Sequence, residues 1–268
     1  MRLTRVWWWI VFIIGFLYFF LPLAGTLEFS LGHPIGPVHA QPTLDYYANV
    51  VSSKEFLSSL TYSFVVGVIT IVVSIGLIMP TAFWVRLRVP RAQPLVEFIT
   101  LLPFVIPPIV LVFGLLSTYS HPPFPFTYTD LGSTALLVAA YVVLSFPYMY
   151  RAVDTGLQAI DIRNLTEAAQ SLGSGWTRIL LQVILPNVRV ALLSGAFLTL
   201  AIVIGEFTIA TFLARPAFGP YLSVLGQTKA FEPAAASIIS FGLTWLAMIF
   251  IAVIGRGSRT RVAVTGAR

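Results

Sequence analysis

Apolar residues fall in six long runs, at about 6–27, 59–83, 95–118, 133–150, 190–213 and 235–255, and most charged residues sit in the short segments between them. A helix needs about 20 mainly apolar residues to cross a bilayer. The pattern therefore predicts an all-α, polytopic membrane protein with six transmembrane helices in one domain over 1–268, and both termini on the same side. One stretch departs from it. Residues 160–189 are polar and sharply punctuated, inside an expected loop of 151–189. Asn164 can cap a helix, with Glu167 three places on returning a bond to the cap. Ala168 and Ala169 leave a face with almost no side chain, and Gly173 can end the helix in a left-handed conformation. Ser174 can cap a second helix, and Pro186 falls where that helix would bend or restart. The expectation is a helical elbow outside the bilayer.

Composition supports the membrane reading. Of 268 residues 57% are apolar and 10% charged, against about 25% charged in soluble domains. There is no cysteine, which removes disulfides, thiolate nucleophiles and cysteine-based metal sites. The net charge of +6 is topological. Arg2, Arg5, Arg86, Arg88, Arg91, Arg151, Arg163, Arg178, Arg189, Arg256, Arg259, Arg261 and Arg268 lie in segments on one side, against Lys54, Arg215 and Lys229 on the other. This alternation is the positive-inside pattern and puts the elbow, both termini and the basic tail 256–268 in the cytoplasm. No soluble domain is large enough for a nucleic-acid patch. Val38-His39-Ala40 has the look of a cleavage site, but the first apolar run is too long and ends too early, so an uncleaved signal-anchor is expected. Trp7, Trp8 and Trp9 suit the membrane–water interface.

The elbow carries a specific resemblance. Glu167-Ala168-Ala169, three residues, Gly173, nine residues, Val183, one residue and Leu185-Pro186 is similar to the EAA loop of the permease subunits of bacterial ATP-binding-cassette importers, with Val183 standing where isoleucine is usual. The resemblance implies the MetI-like permease fold of type I importers, from about the second span to the sixth. It implies that Glu167, Ala168, Ala169 and Gly173 contact a nucleotide-binding subunit, and that Leu185 and Pro186 join the contact to the fifth span. Two ATPase subunits, a second homologous or identical permease and an extracytoplasmic solute-binding protein would complete the assembly in the bacterial cell membrane. ATP and Mg would be bound by the ATPase, with no cofactor in this chain.

The missing motifs agree. No G-x-x-x-x-G-K-[ST], G-x-S-x-G or H-E-x-x-H occurs, so the chain is not expected to be an enzyme or to cradle ATP in that way. His33, His39 and His121 lie in loops beside prolines and read as bystanders, with no metal site. In the third run Pro103, Pro107 and Pro108 predict a bent helix facing the protein interior, and Pro147 bends the fourth near Tyr148. Glu206, in AIVIGEFTIATFL, lies roughly 10 Å below the outer end of its span at 1.5 Å rise per residue. An acid there should face a cavity or a partner. Pro107, Tyr148 and Glu206 are the candidate translocation-path residues. Two runs, LPFVIPPIVL and GEFTIATFLARPAFGPYL, look like the polyamine (spermidine and putrescine) branch, which Glu206 suits as a counter-charge. Ferric iron, phosphonate, sulfate and molybdate importers are the alternatives within the family, and a secondary transporter or a membrane scaffold the alternatives outside it.

Overall fold

The computed structural model describes the backbone of residues 2–32 and 42–256, with side chains from Trp7 onward and gaps beyond Ala247. The expectations placed on Arg2, Arg5, His33, Val38-His39-Ala40, Arg256, Arg259, Arg261 and Arg268 fall outside the described side chains. Among the described residues the chain is all-helical: α1 Arg2–Ser30, α2 Asp45–Ser52, α3 Lys54–Arg88, α4 Gln93–Val105, α5 Pro108–Tyr119, α6 Asp130–Gln158, α7 Ile162–Ser171, α8 Trp176–Arg178, α9 Leu185–Gly205, α10 Thr208–Phe212, α11 Phe218–Thr228 and α12 Glu232–Arg256.

Local chemistry sets the helix ends. The Ser53 hydroxyl accepts from the Phe56 amide at the head of α3, where Glu55 offsets Lys54, and Arg86 and Arg88 lie in the last turn, the charge that a helix C-terminus favours. Thr129 caps α6 by accepting from the Gly132 amide. Helix α8 runs through a π turn, Ile179–Ile184, into α9. The proline of Leu185-Pro186 follows that π turn directly, so its missing N–H falls where the helical ladder is already shifted.

Four helices are long and apolar enough to cross a membrane: Trp7–Ser30, Lys54–Arg88, Asp130–Gln158 and Trp176–Gly205. The pair Pro90–Val105 and Pro108–Tyr119 makes a fifth if counted as one span. The expected count of six is thus four or five among the described residues, with the sixth run forming α12. Three expectations change. The third run is not one bent helix but two, meeting at 96°, because Ile106 is extended and Pro107 follows it. The expected 133–150 span runs on to Gln158. The expected 190–213 span begins at Trp176 and stops at Gly205, so the polar loop shrinks from both sides.

Helices α3, α6 and α9 pack together as the centre. Lipid removes the hydrophobic drive between helices, so close contact must hold them. A Cβ on Gly156 of α6 would lie 2.7 Å from the Ala191 Cβ, and one on Gly195 of α9 would lie 3.0 Å from the Ala152 Cβ. Ala152 and Gly156 therefore face Ala191 and Gly195, small residues four apart on each helix. At the elbow end this centre carries Met79, Phe83, Met149, Val153 and Leu157 in one buried cluster with Ile162, Ala169, Ile179 and Ile184.

Gly156→Val is expected to destabilise the fold by about 1–3 kcal/mol through overpacking. Gly76→Ala, with open space around it, should be neutral or stabilising. Thermal melting in detergent separates the two, and equal midpoints for wild type and Gly156→Val would show that α6 and α9 do not rely on this contact.

Candidate functional site: the α7 elbow and the cavity above it

Helix α7 begins one turn before the expected Asn164. Asp161 is the cap: its carboxylate accepts from the Asn164 amide at 3.1 Å and from the Asn164 side chain at 2.6 Å. Glu167 makes no return bond and instead receives the Arg163 guanidinium at 3.1 Å, both side chains being exposed. The helix ends as the sequence predicts. Gly173 has φ +78°, its amide donates to the Gln170 carbonyl, and the Ser174 amide donates to the Ala169 carbonyl, the paired closure that favours glycine. Ser174 does not cap the next helix; Gly175 precedes α8, without a side-chain cap.

The two alanines part company. Ala168 is exposed, but Ala169 is buried with Ile162 in a cluster shared with the π turn and α6, and Thr166 is buried beside them. This corrects the expectation that Ala169 presents an outward face: a ten-residue helix lying on its own core must turn one position in three or four inward. Leu185 likewise packs partly against that cluster, and Pro186 is exposed. The outward face is Glu167, Ala168, Ser171, Leu172 and Gly173. Leu172 is 87% exposed, a large apolar side chain in a polar turn. Its place just before the helix-ending glycine is the signal that the residue pattern offered and that the small-residue reading passed over.

Beneath the elbow lies an ion pair missed in the sequence. The Asp154 carboxylate accepts from Arg86 Nη2 at 2.7 Å and Nε at 3.2 Å, and from Gln158 Nε2 at 2.6 Å. The Asp154 side chain is only 7% exposed. Because 151–158 was read as loop, Asp154 carried no weight; the signal was an acid and an amide four apart, continuing the helical period beyond the fourth apolar run. The pair ties the end of α3 to the end of α6. Arg86, Arg88 and Arg163, from two separate charged segments, meet in one groove, as the charge alternation requires.

Of the candidate path residues, Tyr148 and Glu206 line one open cavity of about 380 Å³, with Pro103, Phe104 and Pro108. Pro107 is not among its lining residues and acts instead as the hinge before Pro108. Glu206 sits in extended backbone just past α9. Its carboxylate accepts from the Ile209 amide at 2.9 and 3.0 Å, the Ala210 amide at 3.2 Å and the Tyr141 hydroxyl at 3.1 Å. An acid inside an apolar span is thus accommodated by starting a new helix, α10, on its own side chain. Among the described residues no group of His, Asp and Glu has the arrangement of a metal site.

Comparison with known proteins follows the same lines. The family model described as binding-protein-dependent transport system inner membrane component matches residues 73–259, which include the whole elbow. The probable molybdenum ABC transporter permease protein of Haloferax volcanii is 28% identical over 200 residues, covering 72% of either chain. The molybdenum transport system permease protein ModB of Escherichia coli K12 is 29% identical over 186 residues, 63% of this chain and 80% of that protein. Among solved structures, a bacterial ABC transporter involved in the import of the acidic polysaccharide alginate aligns with TM-score 0.69 at 14% identity, over 95% of this chain and 97% of that one. The inward-facing MetNI methionine ABC transporter aligns with TM-score 0.57 at 20% identity, over 76% and 94%. At such identities the likeness is one of fold.

Asp154→Ala is expected to cost about 3 kcal/mol, because it leaves a partly buried guanidinium without a counter-charge. Arg163→Ala, which removes an exposed pair, should cost less than about 0.5 kcal/mol. Melting midpoints and protease cleavage at the elbow report both, and a harmless Asp154→Ala would show that the α3–α6 tie bears no strain.

Proposed function

This chain is an ABC importer permease, a member of the family of binding-protein-dependent transport system inner membrane components, and on that footing we propose that it moves a molybdate-like oxyanion, driven by an ATPase that grips the outward face of α7. The observation that carries the motor half is the split face of the elbow. Ile162 and Ala169 bury α7 against the π turn that leads into α9, in the cluster shared with α6, while Ala168 and Leu172 are left for a visitor. A force applied to Leu172 and Glu167 therefore moves α6 and α9 with it. ATP and Mg belong to the visiting ATPase subunits, and solute arrives on a binding protein. The exposed apolar faces of α4 and α5, with Phe98, Val105, Val110 and Phe113 all over half exposed, are suited to a second permease half.

The substrate reading rests on relatives and on Glu206. Both molybdenum permeases named above lie nearer to oxyanion import than to the polyamine import expected from the sequence, and polyamine is set aside for a physical reason as well. A counter-charge for a polyamine must have free lone pairs. The Glu206 carboxylate already accepts from two backbone amides and a tyrosine hydroxyl, leaving little of its roughly four lone-pair sites, and pulling it away would undo the start of α10. Besides Glu206, the cavity offers the Tyr148 hydroxyl and apolar walls, a passage that neither traps a cation nor binds a dianion tightly. Selectivity then falls to the binding protein.

Two experiments test this. Leu172→Asp should weaken capture of the partner ATPase by about tenfold or more, as loss of a central apolar anchor does, without lowering the melting midpoint; undiminished capture would remove the elbow as the grip. In vesicles holding the full complex, ATP-dependent uptake of labelled molybdate should be competed by tungstate and untouched by excess spermidine. Uptake of spermidine instead, sensitive to Glu206→Gln, would restore the polyamine reading.

A further inference from the structure

Arg88 ends α3 in an unusual setting. Its guanidinium lies 5.2 Å from the Trp176 ring centre and 5.9 Å from that of Trp84, and the two indoles meet edge to face at 5.3 Å. Stacking engages the faces of a guanidinium and leaves its N–H edge free for a planar or tetrahedral anion. No carboxylate and no hydrogen-bond acceptor meets that edge among the described residues. The other charges of the groove are committed: Arg86 to Asp154, and Arg163 to Glu167. Three guanidiniums and one carboxylate thus line an open groove of about 410 Å³, with Asp154 behind Arg86.

The same face of α3 is apolar and exposed for a long way. Ile69, Val73, Leu77 and Trp84 follow one another at helical spacing, each between 39% and 51% exposed, and Arg88 continues the row by one turn. From Val73 to Trp84 is about 17 Å at 1.5 Å per residue, close to the ~15 Å hydrocarbon depth of one leaflet. Tryptophans mark the membrane–water interface. The order along the helix is therefore tail surface, interfacial indole, then an unpaired cation at the polar end.

We propose that this face binds an anionic phospholipid, whose phosphate sits on the N–H edge of Arg88 between Trp84 and Trp176 and whose acyl chain lies along α3. A soluble anion would use only the headgroup half of the feature. An acidic segment of the ATPase would have no use for the apolar row. Because Trp176 begins the helix that leaves the elbow, a lipid held there bridges α3 to α8 and sets how freely the elbow moves. Lipid composition at this leaflet thereby regulates coupling in the importer proposed above.

The test needs neither ATPase nor solute, so it stands apart from the reading of transport. The full chain, purified in a neutral maltoside, is titrated with palmitoyl-oleoyl phosphatidylglycerol or phosphatidylcholine, and retained lipid is counted by native mass spectrometry. Phosphatidylglycerol should be retained preferentially, Arg88→Gln should lower its apparent affinity by about tenfold, as for loss of a charge-assisted hydrogen bond, and Arg91→Gln should not. Trp176→Phe, which keeps the charge and weakens the stack, gives a second and milder reading if Arg88→Gln does not purify. Glycerol 3-phosphate and inorganic phosphate should fail to displace the lipid at equal concentration. Equal retention by Arg88→Gln or displacement by free phosphate would each overturn the proposal.

Discussion

Helices in lipid gain little from hiding apolar surface from one another, so this fold depends on how closely α6 and α9 can approach. Gly156 and Ala152 meet Ala191 and Gly195 with no room for a further methyl group, and that closeness spreads the dispersion contacts of two long helices over their whole shared length. Helix α3 then lies along both. The elbow inherits its rigidity from this contact, since Ile162 and Ala169 pack onto the same buried cluster as Met149, Val153 and Val188. A looser α6–α9 seam would let α7 rock without moving the spans.

Polar groups inside the bundle obey a second constraint, that they find partners within the protein, the buried Thr70 hydroxyl of α3 being the exception among the described residues. Ser74 of α3 meets Ser145 of α6 at 2.7 Å. Asp154 faces Arg86 and Gln158 where the spans approach the surface. The deepest acid, Glu206, takes its donors from the backbone of the next helix and from Tyr141. These three arrangements use different chemistry, yet each joins a helix to a neighbour or to its own continuation, and so each adds specificity of register to a contact that small residues alone would leave free to slide.

The all-helical membrane architecture was legible in the residues because long hydropathy runs report apolar helices with little help from tertiary structure, though six runs did not become six spans among the described residues. Gly173 was legible too, since a left-handed closure leaves few choices of residue. What failed did so for local reasons. Asn164 and Asp161 are equally good caps by type, and only packing decides between them. Ala168 and Ala169 are indistinguishable in sequence but lie 100° apart on the helix, one outward and one against Leu157's cluster. The fifth span was drawn through Glu206 because the residues on both sides of it are apolar, and hydropathy does not see that a carboxylate satisfied by two amides ends one helix and begins another.

That break has a counterpart. Irregular backbone at membrane depth is tolerated where it lines a cavity or is buried in protein, and two such places occur among the described residues, Ile106-Pro107 between α4 and α5 and Gly205-Glu206 between α9 and α10. They are a hundred residues apart in sequence, but Pro103, Pro108, Gly205 and Glu206 line the same cavity. At Ile106-Pro107 the proline offers no amide to the ladder, so α4 ends and α5 starts afresh at 96°. At Gly205-Glu206 the freed amides of Ile209 and Ala210 turn to the Glu206 side chain. Neither break would be stable against lipid, and each is stable against an open cavity edged by Tyr148. Two interruptions from distant parts of the sequence thus converge on one space, and the backbone groups each sets free are accommodated at its edge rather than against lipid.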